Sequence, residues 1–475
     1  MGTEDRDGAR SGPIRAQRVG LVSLGCAKNL VDSELMLGEL RARGYEVVSR
    51  LEDAETVIVN TCGFIDEARQ ESIDAILEAA AGKEQGVRRL LVAGCMANRY
   101  GEELRREIPE IDGFISLDQL RDVGRLVQLG GSPPPTSVRS HLVFDHTAPR
   151  LLTTRGYAYL KVAEGCDNPC TFCAIPVWRG RFRSRTVASL VAEAQSLEEA
   201  GIRELVLVAQ DTTRFGEDLA LGRRGLTGLL EALLAGTALP WIRFLYAYPT
   251  TLDESVLRLM GAEERLVPYL DMPLQHSHPD ILRAMRRGGR AERYLRLLDR
   301  ARSLVPDIAL RTTFIAGFPG ETEEHFRHLL DFVVQARFDN LGAFVYSPEA
   351  DTPSAALPQR PRRRVARERR RRLLEVQEPI ALERRRRLVG RRLPMLVEGP
   401  CRETEHLLEA RHRGMAPEVD GRVLINDGRA APGTLVEVEV TEAYADDVVG
   451  RIVGPRGVAG VEVAEQAAAG EGASR

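Results

Sequence analysis

The sequence predicts an α/β protein in three folded parts: an N-terminal Rossmann-like domain with a parallel sheet, a central partial (β/α) barrel, and a small C-terminal β-barrel of OB-like size. Three observations carry this. Short apolar runs alternate with amphipathic segments in two separate series, which is the pattern of parallel strands joined by helical crossovers. The region after the second series holds only short β-rich runs with glycine turns between them. At 475 residues the chain exceeds what one core supports, so about three domains are expected.

In the first series RVGLVSLG, YEVVSR, TVIVNTC and RLLVAGC are strand candidates, and DSELMLGELRARG, DEARQESIDAILEAAAG and YGEELRREI carry helical periodicity between them. The string GGSPPPT then places three prolines in a row, which neither a helix nor an inner strand accepts. This sets the first domain at 16–130 and a linker at 131–150. The second series offers YLKVAEGC, ELVLVAQD, IRFLYAYP, YLDMPLQH, IALRTTFIAGFPG and LGAFVYSP as strands. Six such units suggest an open barrel whose working face lies at the strand C-termini. The arginine-rich segment 360–392 has helical periodicity; it reads either as a solvated helix that closes this domain, 151–390, or as a polyanion-binding face. The runs PMLVEG, GRVLIND, TLVEVEVTEAY and VVGRIV make up the third domain, 391–455. Tails at 1–15 and 456–475 lack large apolar clusters and are expected to be disordered.

No stretch approaches the roughly 20 apolar residues of a membrane span, and the N-terminus has no signal-peptide run. A cytoplasmic protein without a membrane partner is expected. Seven cysteines, an odd number, do not suit a disulfide framework; clustered in a reducing compartment they point to metal or catalysis.

Cys166, Cys170 and Cys173 in EGCDNPCTFC follow the strand YLKVAEG at C-x3-C-x2-C spacing. A closed zinc site needs four ligands, and the nearest further histidines are His146 and His276. A 4Fe-4S cluster with one iron left open is the better reading, with zinc as the competitor. Cys26, Cys62 and Cys95 are distant in sequence, yet each ends a predicted strand. In an open parallel sheet those ends border one crevice, so a second three-cysteine cluster is expected there, against the alternative of three small buried side chains. Gln210, Asp211 and the string Gly317-Phe318-Pro319-Gly320 close two later strands; they either face the barrel cavity or serve as turn residues. Cys401 stands apart and reads as structural or incidental.

The second triad, with Phe172 before its last cysteine, resembles the radical S-adenosylmethionine superfamily. The two triads in this order, followed by a small β-barrel, resemble the methylthiotransferase family over nearly the whole chain. That resemblance implies an N-terminal cluster domain, a radical S-adenosylmethionine domain and a TRAM domain. It also implies two 4Fe-4S clusters, an auxiliary one on Cys26, Cys62 and Cys95 and a radical one on Cys166, Cys170 and Cys173, with S-adenosylmethionine near Gln210, Asp211 and Gly317. In such enzymes the reduced radical cluster cleaves S-adenosylmethionine, the radical removes a substrate hydrogen, and sulfur held on the auxiliary cluster bonds to that carbon. A second S-adenosylmethionine supplies the methyl group. No acid or base residue is required, and an electron-donor protein is implied.

SLGCAKNLVDSE, VAQDTTRFG, PLQH and RGRFRSR are similar to the branch that modifies the β-carbon of an aspartate in small-subunit ribosomal protein S-twelve, free or in the ribosome. Ala27 departs from it, since many members have proline there. The rivals are the branch that modifies a tRNA adenosine and, in another class, a non-enzymatic iron–sulfur protein that binds RNA. Charge bears on the choice. Residues 393–454 carry twelve acids against six arginines, an excess that suits a basic protein partner better than tRNA phosphates, unless it merely keeps the module soluble. The isolated module is therefore expected to bind the ribosomal protein and to bind tRNA poorly.

Overall fold

Every residue of the strand Thr56–Thr61 is buried, as a central parallel strand covered on both faces requires. It is the middle of a five-stranded sheet in the order Glu46–Val48, Arg18–Ser23, Thr56–Thr61, Arg89–Ala93, Gly113–Ile115, all neighbours parallel. The computed structural model describes residues 17–135 and 144–455, in two compact units: 17–135 with 148–151, and 144–147 with 152–455. The expected disordered tails at 1–15 and 456–475, and residues 136–143 of the expected linker, lie outside the described residues.

In the first unit the helices Ala27–Ala42, Asp66–Ala81 and Gly94–Glu107 connect successive strands. After Arg18–Ser23 the chain builds one neighbour, then crosses to the other side for Thr56–Thr61. That reversal opens a crevice at the carboxyl ends of these two strands. The end of the expected linker is docked in this unit: Arg150 Nε donates to Glu34 Oε2 at 2.9 Å, and Leu151 N donates to the Glu34 carbonyl at 3.0 Å. Gly38 leaves room for that strap, because a Cβ there would sit 2.3 Å from the Pro149 carbonyl oxygen.

The second unit has six parallel strands as two three-stranded sheets. One holds Tyr157–Lys161, Glu204–Val208 and Trp241–Phe244, the other Tyr269–Asp271, Ala309–Ala316 and Asn340–Val345. Backbone bonds from Val267 N to Ile242 O (3.0 Å) and Ala247 N to Asp271 O (2.9 Å) link the two into one curved row, the expected open barrel. The strand face turned to the helices is apolar, with Leu160, Leu207, Ile242, Leu270 and Phe314 buried in one core with Leu190, Leu229 and Leu298 of the helices. Asn340–Val345 is the last strand of the row, and the helix Arg363–Arg386 lies along it, with Arg370 Nε donating to the Ala343 carbonyl (2.8 Å) and Gln377 to that of Phe338 (2.9 Å). Covering an edge in this way prevents pairing with another chain. The arginines of this helix are largely spent within the unit: Arg369 pairs with Glu321 at 2.7 Å, Arg372 with Glu323 at 2.9 Å and Arg385 with Asn340 at 2.9 Å. The segment forms a helix that closes the domain, as one reading of 360–392 has it, while Arg363, Arg364 and Arg367 stay exposed.

The third predicted region is a closed five-stranded barrel of Arg392–Pro400, Leu408–His412, Val423–Asp427, Val448–Pro455 and Leu435–Ala443. It packs in the same compact unit as the six-stranded row, against the row's strand N-termini. Arg411 reaches across to Glu204, the first residue of its strand, at 2.7 Å. Asp420 accepts from Tyr269 at 2.6 Å, and Glu418 accepts from Tyr159 at 3.1 Å. The acid excess that sequence alone assigns to a basic partner is thus partly consumed internally, since Glu403 and Glu409 also hold Arg422 and Glu439 faces Arg451. Cys401 is buried in this barrel, its N–H on the Leu407 carbonyl. Among the described residues no helix is long and apolar enough to cross a membrane.

Candidate functional site

None of the seven cysteines is in a disulfide. In the first unit Cys26 follows the strand Arg18–Ser23 and caps the helix Ala27–Ala42, its carbonyl accepting from Asn29 N at 2.8 Å and Leu30 N at 3.0 Å. Ala27 is the first helical residue, a position proline also tolerates, so the departure there leaves the helix start intact. Cys62 directly follows Thr56–Thr61, and Cys95 lies in the first turn of Gly94–Glu107, just after Arg89–Ala93. The three strands are adjacent, so the three cysteines border the crevice described above. Two of them sit at helix N-termini, where the exposed N–H groups and the helix dipole favour a thiolate.

The closeness of these turns is visible in the glycines. A Cβ on Gly25 would lie 2.6 Å from Cys62 Cβ and 2.9 Å from its sulfur, and one on Gly94 would lie 2.4 Å from the Thr61 carbonyl oxygen. Both residues have positive φ, which glycine alone adopts without cost. A buried polar frame fixes the same turns. Asn29 donates to the carbonyls of Leu24, Asn60 and Thr61 at 2.7 to 3.3 Å, while Asn60 donates to the Asn29 carbonyl (2.9 Å) and Ser33 Oγ (2.8 Å). Ser72 clamps Cys62 by accepting its N–H (3.0 Å) and donating to its carbonyl (2.9 Å). None of these residues stands out in the sequence, because the partners lie five to thirty-two positions apart.

In the second unit the loop after Tyr157–Lys161 carries Cys166, Cys170 and Cys173. Gly165 is held at φ +79°, and Cys166 N donates to the Gly180 carbonyl at 3.2 Å. Asn168 N approaches Cys166 Sγ at 3.5 Å, and Cys173 N donates to the Cys170 carbonyl at 3.3 Å, which curls the loop around its own sulfurs. Burial pushes the Cys166 thiol up to about 11 and that of Cys173 up to about 12, and neighbouring thiols add to both. Such thiols give up their protons to a metal centre and not to water. Arg287 Nη1 lies 3.7 Å from Cys170 Sγ, with its guanidinium stacked over Tyr248 at 4.2 Å. Three thiolates with one nearby cation fit a cluster that holds three protein ligands.

Gln210 and Asp211 follow Glu204–Val208, on the same side of the row as the cysteine loop. Asp211 is satisfied by protein: Asn168 donates to Oδ2 at 2.7 Å and Thr213 to Oδ1 at 2.6 Å, tying it to the loop between Cys166 and Cys170. Gln210 donates to Glu164 at 2.7 Å, and its own carbonyl oxygen is buried without a hydrogen-bond partner. An orphaned acceptor of this kind costs roughly 1–3 kcal/mol unless a ligand donor meets it. Gly317 has φ +82°, but a Cβ there would sit 2.3 Å from Ala366 Cβ, so its bareness serves the approach of the helix Arg363–Arg386. Its N–H donates to Glu321 at 2.9 Å.

Sequence reading missed Glu164, which is buried and central. It accepts from Lys161 (2.9 Å), Arg179 (3.0 Å) and Gln210. Burial alone would raise its carboxyl, but Arg179 and Lys161 outweigh that and hold it well below the ordinary range. A signal existed in the strings KVAEGC and WRGR, whose charges flank the triad in sequence.

Comparison with known proteins follows this division of the chain. Residues 18–116 match the family described as Uncharacterized protein family UPF0004, 160–333 the Radical SAM superfamily and 389–453 the TRAM domain. In fold, the chain resembles the radical S-adenosylmethionine methyltransferase TsrM from Kitasatospora setae, with TM-score 0.54 at 15% identity over 72% of this chain and 74% of that one. Among curated proteins, the ribosomal protein uS12 methylthiotransferase RimO of Solibacter usitatus (strain Ellin6076) is 46% identical over 92% of this chain and 95% of its own. The RimO proteins of Myxococcus xanthus (strain DK1622), 46% identical over 91% of each chain, and Anaeromyxobacter sp. (strain K), 47% identical over 92% and 94%, agree. Identity at this level along nine-tenths of the length, through both cysteine-bearing units and the small barrel, means that the chain belongs to the RimO family of ribosomal protein uS12 methylthiotransferases.

Proposed function

We propose that this chain is a radical S-adenosylmethionine methylthiotransferase that places a methylthio group on the β-carbon of an aspartate in ribosomal protein uS12. The observation that carries the reading is the pair of cysteine triads, each brought to the carboxyl ends of parallel strands, in a chain of this family. Cys166, Cys170 and Cys173 would hold the cluster that binds S-adenosylmethionine, and Cys26, Cys62 and Cys95 the auxiliary cluster. When bound, the two 4Fe-4S clusters and S-adenosylmethionine supply the electron, the radical and the sulfur.

The chain's own residues supply position. Gly165 and the Asn168–Asp211 bond fix the shape of the cysteine loop, while Gln210 offers its unmatched carbonyl to an N–H or O–H of the cofactor. Glu164 with Lys161 and Arg179 forms a buried ion cluster, one carboxylate to two cations, that holds Gln210 in place, and Arg287 puts positive charge beside one ligand sulfur. Reduction requires an electron-donor protein, and a protein substrate of this kind places the enzyme in the cytoplasm. The choice of uS12 over tRNA rests on the relatives, because much of the acidic surface of the small barrel is engaged internally. The test is mass spectrometry of ribosomal proteins and bulk tRNA from a strain lacking the gene. We expect uS12 to lose one methylthio group with tRNA unchanged; loss of methylthio-adenosine with uS12 intact would overturn the substrate assignment.

Gly94 gives a second check. Gly94→Ala forces a methyl group against the Thr61 carbonyl and must push apart the turns that carry Cys62 and Cys95. The expected result is loss of about half of roughly eight irons per chain, with reductive cleavage of S-adenosylmethionine retained. Full iron content in the folded variant would show that these turns do not hold a cluster.

A further inference from the structure

Four of the chain's eight histidines gather at one place in the second unit. His276 and His278 lie on the segment after the strand Tyr269–Asp271. His325 and His328 lie three apart near the start of the helix Glu323–Ala336, which follows the adjacent strand Ala309–Ala316. The rings of His278 and His325 are 4.2 Å apart between centroids, and those of His278 and His328 are 5.0 Å apart. One nitrogen of His278, one of His325 and a carboxylate oxygen of Asp280 all lie within 4.8 Å of one another. The cysteine loop meets the other end of the short helix Pro279–Ala284, through Thr171 on the carbonyls of Ala284 and Met285.

We propose that His278, His325 and Asp280 form a binding site for a borderline divalent transition ion such as zinc, separate from both cysteine triads. Two imidazoles and a carboxylate are a known zinc ligand set with one position left for water. Tetrahedral coordination at bonds of about 2.0 Å brings ligand atoms to about 3.3 Å from each other. The three groups therefore close in by about 1.5 Å, which half-buried and exposed side chains do by rotation alone.

Local bonds already orient the rings. His325 Nδ1 accepts from Thr322 N at 3.3 Å in the capping box and also lies 3.2 Å from the Gly320 carbonyl; in the tautomer that donates to that carbonyl the Thr322 bond is given up and Nε2 is left as the metal-facing atom, the usual arrangement behind a histidine ligand. His328 Nδ1 is held by Ser277 Oγ at 2.9 Å, fixing the third ring at the rim. His278 Nδ1 accepts from Asp280 N at 3.2 Å and caps a helix of six residues. Turning toward an ion forfeits only that one cap. The bland reading is that His278 and His325 are simply helix caps. It accounts for one nitrogen of each ring, and Arg283 takes Asp280 Oδ1 at 2.7 Å, but the second carboxylate oxygen is turned to His278 Nδ1 at 3.9 Å and the two rings face each other beside it.

The reading separates from capping by substitutions that keep the caps. His278→Asn retains an N-cap side chain, and His325→Gln retains the capping-box partner of Thr322, while both remove the imidazole. The full chain, with both triads filled by reconstituted clusters, is dialysed against zinc chloride and then analysed for zinc and iron. We expect one zinc per chain beyond the iron at zinc concentrations comparable to the protein's. Affinity should fall by at least about tenfold in His278→Asn and in His325→Gln, with iron content and circular dichroism unchanged. Zinc-edge X-ray absorption of the unsubstituted protein should show nitrogen and oxygen neighbours with imidazole scattering. No retained zinc, equal retention in the doubly substituted protein, or sulfur among the neighbours would overturn the site.

Discussion

Replacing Cys166, Cys170 and Cys173 together by alanine leaves about four of roughly eight irons per chain and reduces cleavage of S-adenosylmethionine to background. Cys26→Ala, in contrast, keeps reductive cleavage to deoxyadenosine and abolishes the methylthio product. The asymmetry follows from where each triad stands. The second lies on a short loop beside Gln210, whose unpaired carbonyl is the one orphaned acceptor next to it, and beside Arg287, whose charge offsets the thiolates. The first lies in the other unit, built from three strand ends and framed by Asn29, Asn60 and Ser72, so losing Cys26 leaves the bonds of the second loop in place. Iron and sulfide per chain and deoxyadenosine by chromatography are the readouts. A folded Cys26→Ala protein that keeps about four irons and yet cleaves nothing would mean that the two triads have exchanged roles or act as one.

How much of this was legible in the sequence depended on the distance over which each feature acts. Strand and helix identities in both α/β series could be read because buried parallel strands such as Thr56–Thr61 and Glu204–Val208 are apolar runs flanked by turn residues. The strand Gly113–Ile115 and the helix Val123–Leu129 escaped, since three and seven residues are too short to establish a period. Helix starts were placed too late at Asp32 and Tyr100, because the first turns of Ala27–Ala42 and Gly94–Glu107 carry the functional residues themselves in place of an ordinary cap. The cysteine positions were readable from spacing and strand ends. Their supports were not: Asn60 and Glu164 look like any polar residue until tertiary structure supplies partners. Gly317 shows the converse, a glycine whose local context points to a ligand and whose Cβ position is taken by Ala366, forty-nine positions on. The acidic balance of residues 393–454 meets the same limit, because charge counted along a chain does not reveal which charges are already paired.

Arg411→Met should destabilise the second unit by about 3–5 kcal/mol, the cost of removing one partner from a buried ion pair. Arg411 is 2% exposed and holds Glu204 at 2.7 Å and Glu398 at 2.6 Å; Arg243 holds Glu204 from its other side at 2.6 Å. Methionine fills much of the volume, so the loss is electrostatic more than steric: Glu204 remains fully buried with one cation where it had two. Adding Glu204→Gln should restore only part of the loss, because Arg243 then keeps a buried charge without its carboxylate. Acid dependence gives an independent readout. Burial by itself would raise the Glu204 carboxyl, but Arg243 and Arg411 outweigh it and hold the carboxyl below its ordinary value of 4.5. A depressed carboxylate contributes stability that is complete above the unfolded value and is lost as pH falls through the folded one. Arg411→Met removes part of that depression, so its acid loss should set in at higher pH than in the unsubstituted protein. Both tryptophans, Trp178 and Trp241, are buried in this unit, and urea unfolding followed by their fluorescence reports on it selectively. The same pairing makes the small barrel a poor candidate for independent folding, since a cut before residue 391 strands Arg411 and Asp420 on one piece and Glu204, Arg243 and Arg311 on the other. A change below about 1 kcal/mol in Arg411→Met, the scale of an exposed ion pair, would show that this interface does not depend on its buried charges.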